Sequence, residues 1–321
     1  MLRESGRREG WALQGAGTVM MKELADNLAS WRMLLLGLLI FLTGAGAVYA
    51  TIGEVRELVG EDRFIFLRIF TTAKEPLPSF VAFLGFLIPI VAIALGFDNV
   101  NSEFGHRTMS RILAQPIYRD ALLFGKFMAG LTTLAVMLAA LWIFVIGLGI
   151  LMLGLPPSTE EMVRGFAFLI SAIAYGGVWL ALALLFSVVF RSAATAALAA
   201  LAIWLFFAFF WNFLVPLLAP VLAPPDPYDI QSLLRTVSVG QGLSRISPNT
   251  LFAETTMAFL NPATRSMGLV LQSQMQGAIS GPLPFMQSLL LVWPQLAGMF
   301  ASFIVLFTIT YVTFQRQEVR A

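Results

Sequence analysis

The stretch DNVNSEFGHRTMSRILAQPIYRDALLFGK, residues 98–126, is a polar island between two long apolar segments. It carries Arg107, Arg111, Arg119 and Lys126 together with His106, the one histidine of the chain. Asn101 or Ser102 can start a helix and Pro116 stops it, so the island predicts a short charged helix over 103–115 held between two spans. Arg107 and Arg111, four apart, share one face of that helix, with Met109, Ile112 and Leu113 supplying apolar contact. Such a piece suits a chain that receives mechanical work from a soluble partner.

Outward from the island the composition dictates the environment. With 58% apolar and 12% charged residues, the chain cannot clothe itself in a surface of normal polarity. A bilayer core needs about 20 consecutive apolar residues per helical span. Uncharged runs of that kind fall at 33–52, 77–97, 127–155, 165–190, 192–225 and 289–314. The expected fold is an all-α polytopic membrane protein of six transmembrane helices. No signal peptide precedes them, because the first residues lack an apolar stretch followed by a small-residue cleavage site.

Lys and Arg set the expected orientation. With both termini inside, the inner segments hold Arg3, Arg7, Arg8, Lys22 and Arg32, then the cations of the island, then Arg191, Arg316 and Arg320. The outer segments spread Arg56, Arg63, Arg68, Lys74, Arg164, Arg235, Arg245 and Arg265 over more sequence, and the 54–75 loop is net acidic. A multi-pass protein of the inner (cytoplasmic) membrane with both termini and the tail 315–321 in the cytoplasm is expected.

Residues 11–32 place Leu13, Ala16, Met20, Leu24, Leu28 and Trp31 at spacings of three or four, with Lys22, Glu23 and Asp26 on other faces. This periodicity predicts an amphipathic elbow helix lying in the headgroup plane and running into span one. Residues 1–10, rich in Arg, Glu and Gly, read as a disordered tail. Met20 and Met21 are alternative starts.

Within the six-span domain of 33–314, Gly37, Gly44 and Gly46 of span one allow close helix approach, and Tyr175-Gly176-Gly177 marks a contact face in span four. Span five carries Trp204, Phe207, Phe210, Trp211 and Asn212. These are a candidate path or gate; the plainer reading is interfacial aromatics plus an interhelical hydrogen bond from Asn212. Asp98 reads as a boundary residue that reaches water. The outside segment 226–287 is too polar to span, with short helices expected over 229–239 and 250–260 and a turn at Asn261-Pro262.

The search for chemistry is nearly empty. No phosphate-binding glycine loop, metalloprotease motif or nucleophile elbow occurs. Zero cysteines exclude thiolate metal sites, and the 14 methionines are scattered without a tight pair outside. A net charge of +2 without a basic aromatic stripe gives nucleic-acid binding no support. No catalytic, cofactor or metal residues are expected on this chain.

The block Glu103-Phe-Gly-His-Arg-Thr108, then Leu113-Ala-Gln-Pro116, Arg119 and Gly125-Lys126, resembles the sequence after the second span of ABC type-2 transporter permeases, whose pattern runs roughly E-x-x-x-G-T, L-L-x-x-P, S-R, G-K. Lys22-Glu23-Leu24 is similar to that family's elbow helix. Phe86-Leu-Ile-Pro89, Gly125-Lys-Phe127 and Leu260-Asn-Pro262 look most like the NosY-like subgroup. Arg107 stands where the pattern has Gly, and Tyr118 where it has Ser.

The resemblance implies a permease subunit of an ATP-driven ABC exporter, not itself an enzyme, working as a homodimer with separate ATP-binding subunits. ATP and Mg would sit on those partners. An extracytoplasmic accessory protein is a further partner of this class. The residues implied in ATPase coupling are Glu103, Arg107, Thr108, Arg111, Leu113, Pro116, Arg119 and Lys126, on a cytoplasmic coupling helix within 98–126. Cargo is not implied, because the motif concerns partner docking. Two other classes stay open: an ABC-type subunit that transmits a mechanical signal without moving substrate, and a secondary transporter. The latter would normally place ionisable groups near the midplane, which these spans lack.

Overall fold

A computed structural model describes residues 15–60, 62–74, 78–105, 118–267 and 281–316. Its elements are α1 (Ala16–Ala29), α2 (Trp31–Glu57), α3 (Ile65–Thr71), α4 (Phe80–Gly96), α5 (Asn101–Gly105), α6 (Arg119–Leu153), α7 (Thr159–Val189) and α8 (Ala193–Leu205). A π-helical turn (Phe206–Phe210) joins α8 to α9 (Trp211–Leu222), followed by α10 (Ile230–Ser244), α11 (Pro248–Leu260) and α12 (Phe285–Arg316). Among the described residues, six helices are long and apolar enough to cross a membrane: α2, α4 extended to Glu103, α6, α7, the run Ala193–Leu222 and α12.

The bundle is built around α7, which packs on α4, α6, α8, α11 and α12 and is buried along most of its length. Gly176 makes this possible, since a Cβ there would run into Leu134 of α6 and lie 3.0 Å from Ile88 of α4. The contact face expected at Tyr175-Gly176-Gly177 is therefore real. Span one differs: Gly44 meets Leu141 and Phe80, but Gly37 and Gly46 face no neighbour within 4 Å. α2, α8–α9 and α12 keep long apolar faces exposed.

The start of α7 is a capping box in which Ser158 and Glu161 satisfy each other's backbone N–H groups. Glu161 also accepts the Phe66 N–H at 2.8 Å, so the same carboxylate pins α3. That helix lies inside the 54–75 segment read from sequence as a loop. Its Ile65, Phe66, Leu67, Ile69 and Phe70 are buried against the bundle.

α1 does not run straight into α2. Ser30 is extended and its hydroxyl accepts the Met33 N–H at 3.2 Å, ending one helix and capping the next. α1 then lies along α6, at a distance set by Gly125, whose Cβ would sit 2.8 Å from Val19.

Candidate functional site

α6 has 35 residues, about 50 Å of helix at 1.5 Å per residue, more than a hydrocarbon core of about 30 Å. Its first turns therefore project to the membrane boundary, and Lys126 lies there with only 4% of its side chain exposed. Its ammonium is 3.0 Å from Glu23 of α1 and 2.7 Å from Glu103 of α5. Lys22 lies 3.1 Å from Glu23 and 3.1 Å from Asp26. Burial pushes the Glu23 carboxyl up, but the charges and hydrogen bonds of Lys126 and Lys22 outweigh it and hold the group below its ordinary value. Burial also opposes the charge on Lys22, yet its Asp26 and Glu23 partners raise it above the usual lysine value.

Three further ties converge on this end. Ser187 of α7 accepts the backbone N–H groups of Val100 and Asn101 at 2.9 and 3.3 Å, which fixes the turn into α5. Arg32 at the start of α2 meets Asp98 at 2.9 Å, donates to the Ala94 carbonyl and lies over the Phe97 ring. Gln315 of α12 donates to Asp120 of α6. The roots of segment 106–117, at Glu103 and Lys126, are thus joined to each other and to α1.

Of the residues singled out for coupling, Glu103 and Lys126 come together and Arg119 opens α6. Arg107, Thr108, Arg111, Leu113 and Pro116 lie outside the described residues. Glu23 was missed as a member of this cluster. The sequence put it with Lys22 and Asp26 off the apolar stripe, and nothing in that periodicity marked it as the partner of Lys126.

The span-five aromatics lie in different environments within the chain. Trp204 is buried, Phe207 packs partly on the core, and Phe210 is 63% exposed. Trp211 donates to the Leu243 carbonyl of α10 at 3.0 Å. Asn212, expected to bond across helices, instead donates to Ala208 of its own helix at 3.1 Å, and among the described residues no other helix covers that face.

Trp204 lines a cavity of about 450 Å³ between α4, the π-helical turn and α11, with Tyr175 of α7 as its floor. The Tyr175 hydroxyl lies 2.8 Å from Asn249 Oδ1 and 3.0 Å from the Gly85 carbonyl. At the end of the bundle opposite Lys126, Arg164 is fully buried. It bonds Glu160, the Phe259 carbonyl, the Ser288 hydroxyl and the Leu283 carbonyl. Among the described residues the buried charged groups of the spans, Lys126, Glu161 and Arg164, thus sit in the first turns of their helices.

The family model described as "ABC-2 family transporter protein" matches residues 18–319. The chain belongs to this family. This ABC-2 chain is 30% identical over 238 residues to the probable ABC transporter permease protein NosY of Pseudomonas aeruginosa, covering 68% of this chain and 80% of that protein. It is 26% identical over 234 residues to the like-named protein of Stutzerimonas stutzeri, covering 67% and 79% respectively. The permease family, expected from the 103–126 motifs, and its NosY-like kind, expected from residues 86–89, 125–127 and 260–262 beside them, are thereby shown, and family membership implies an ATP-binding partner.

Proposed function

We propose that this chain is the membrane half of an ATP-driven exporter, acting as a dimer of two copies with separate ATP-binding subunits on the side of segment 98–126. That side is the cytoplasm in this reading, and hydrolysis takes place on the partners. The observation that carries it is the Glu23–Lys126–Glu103 cluster. A push on a helix at 103–115 reaches α6 and α1 together through these contacts, so force becomes a movement of whole helices instead of a local bend. The dimer is supported by the apolar faces of α2 and α8–α9, where Gly37, Gly46 and Phe210 lack intramolecular cover.

The test is co-expression of the tagged chain with an ABC ATP-binding subunit of its own genome. A complex with two copies of each is expected. Reversing charge at Arg107 and Arg111 together should uncouple ATP hydrolysis from the permease and leave membrane insertion intact. Unchanged assembly and unchanged hydrolysis in that variant would overturn the coupling role.

A further inference from the structure

We infer that the cavity between α4, the π-helical turn and α11 binds an uncharged amphiphile, apolar in its body and carrying a hydroxyl or carbonyl at its tip. The proposal concerns binding alone and rests on no part of the coupling mechanism.

Two polar atoms motivate it. Thr256 and Trp204 both line the cavity and both side chains are buried, yet the Thr256 hydroxyl and the Trp204 indole N–H make no hydrogen bond within the chain. The Trp204 indole also has the Tyr175 hydroxyl as a polar neighbour, so the Thr256 hydroxyl is the stronger of the two observations. Thr255, next along the same helix, shows the ordinary solution, its hydroxyl bonded to the Leu251 carbonyl at 2.7 Å. An orphan buried donor costs about 1–3 kcal/mol, so a partner is called for. An acceptor oxygen placed at the tip of a ligand serves the indole, and either a hydroxyl or a carbonyl serves Thr256.

Water suits the space as a whole poorly. The cavity has room for roughly ten to fifteen waters at about 30 Å³ each, and each needs two to four polar partners. The walls are instead mostly apolar, with Phe86, Ala208, Phe252 and Met257 among them. Among the described residues no Asp, Glu, Lys, Arg or His lines the space, so a charged head would find no counter-charge among them. The volume falls within the range of small-molecule sites, about 300–1,000 Å³. Departure from the α-helical ladder at Phe206–Phe210, on the cavity wall, is itself common at functional sites. Phe86, Phe209 and Met257 are about half exposed at the rim and leave a way in from the side.

The experiment uses the full chain in phosphatidylcholine nanodiscs, without nucleotide or ATP-binding subunit, and hexadecanol carrying a mid-chain diazirine. Labelling is expected within 81–86, 204–209 or 249–257 and should be competed by plain hexadecanol. Thr256→Val, nearly isosteric, should weaken that competition about fivefold through one lost hydrogen bond. Ala253→Phe, which fills the cavity, should abolish labelling. The inference is overturned by labelling elsewhere only, by labelling indifferent to both variants, or by equal labelling from the same chain with a trimethylammonium head. It is equally overturned if cysteines at Phe209 crosslink two copies across the cavity and labelling is absent, since a second copy then fills the space. Failure here leaves the coupling test untouched, because that test reads hydrolysis and this one reads binding.

Discussion

The two ends of the bundle are each organised by a buried cation, and they use it differently. At one end Lys126 sits between two carboxylates, Glu23 and Glu103, contributed by separate short helices. At the other, Arg164 has a single carboxylate, Glu160, and spends its remaining donors on the Phe259 and Leu283 carbonyls and Ser288. The Phe259 carbonyl belongs to the last turn of α11, which has no intrahelical partner for it, so the guanidinium completes a helix end. A planar fork of five donors suits several fixed acceptors at once, whereas an ammonium is a point charge that can follow moving partners. The Arg164 end is a staple and the Lys126 end is a joint.

The largest expected effect tests the staple. Arg164→Met strands carbonyls of α11 and the 281–284 turn in the interior and should cost about 3–5 kcal/mol, read as loss of folded protein in thermal unfolding followed by size exclusion. Arg164→Lys should recover little, because three donors on one atom cannot span the same acceptors. Full recovery by lysine would make the two ends equivalent and remove the distinction.

The joint predicts a split between stability and coupling. Lys126→Met alone should cost about 2–3 kcal/mol, less than at Arg164 because Glu23 and Glu103 retain some access to water. Adding Glu23→Gln and Glu103→Gln should restore most of the stability, since a buried ion cluster replaced throughout is often neutral. Coupling of ATP hydrolysis should stay lost in that triple variant. Restored coupling would show that packing, not charge, links the helices.

Acid provides a gentler probe. Glu23 is held below its ordinary value in the folded chain, so its contribution is complete at neutral pH and down to the ordinary carboxylate range. Below that range the contribution disappears as the folded-state carboxyl takes up its proton. Hydrogen exchange in α1 should therefore rise on acidification before exchange around Arg164 does, and Glu23→Gln should abolish the difference. The smallest effect belongs to Asn212→Ala, expected within about 0.5 kcal/mol in the isolated chain, because the amide bonds only its own helix. A larger loss appearing only in an assembled complex would locate a partner on that face.

Much of the fold was legible from hydropathy, and the reason is the solvent. A bilayer forces each span to satisfy its own backbone, so six apolar runs of sufficient length announce six helices without reference to one another. The start of α7 was also written locally, in Ser158 and Glu161, but the hydropathy reading began that span only at 165 and missed it. The segment 54–75 was misread because its charges at Glu54, Glu57, Asp62 and Lys74 dominate its average, while Phe64 to Phe70 carries the apolar information in a run too short to span. Gly37 and Gly46 show the same limit from the other side, since small residues permit close approach without specifying a neighbour.

By itself the sequence determined the membrane environment, the number of spans, the polar segment at 98–126 and the family, all of which depend on patterns contiguous along the chain. Tertiary structure alone decided that Glu23 belongs with Lys126 and Glu103, that Arg164 closes the end of α11, and that Trp204 and Thr256 share a cavity while Phe210 faces outward. The residues in each of these groups are separated by tens of positions. Which of them meet is fixed by how the helices rotate and pack, a collective outcome to which a local pattern of charges and aromatics contributes only the raw material.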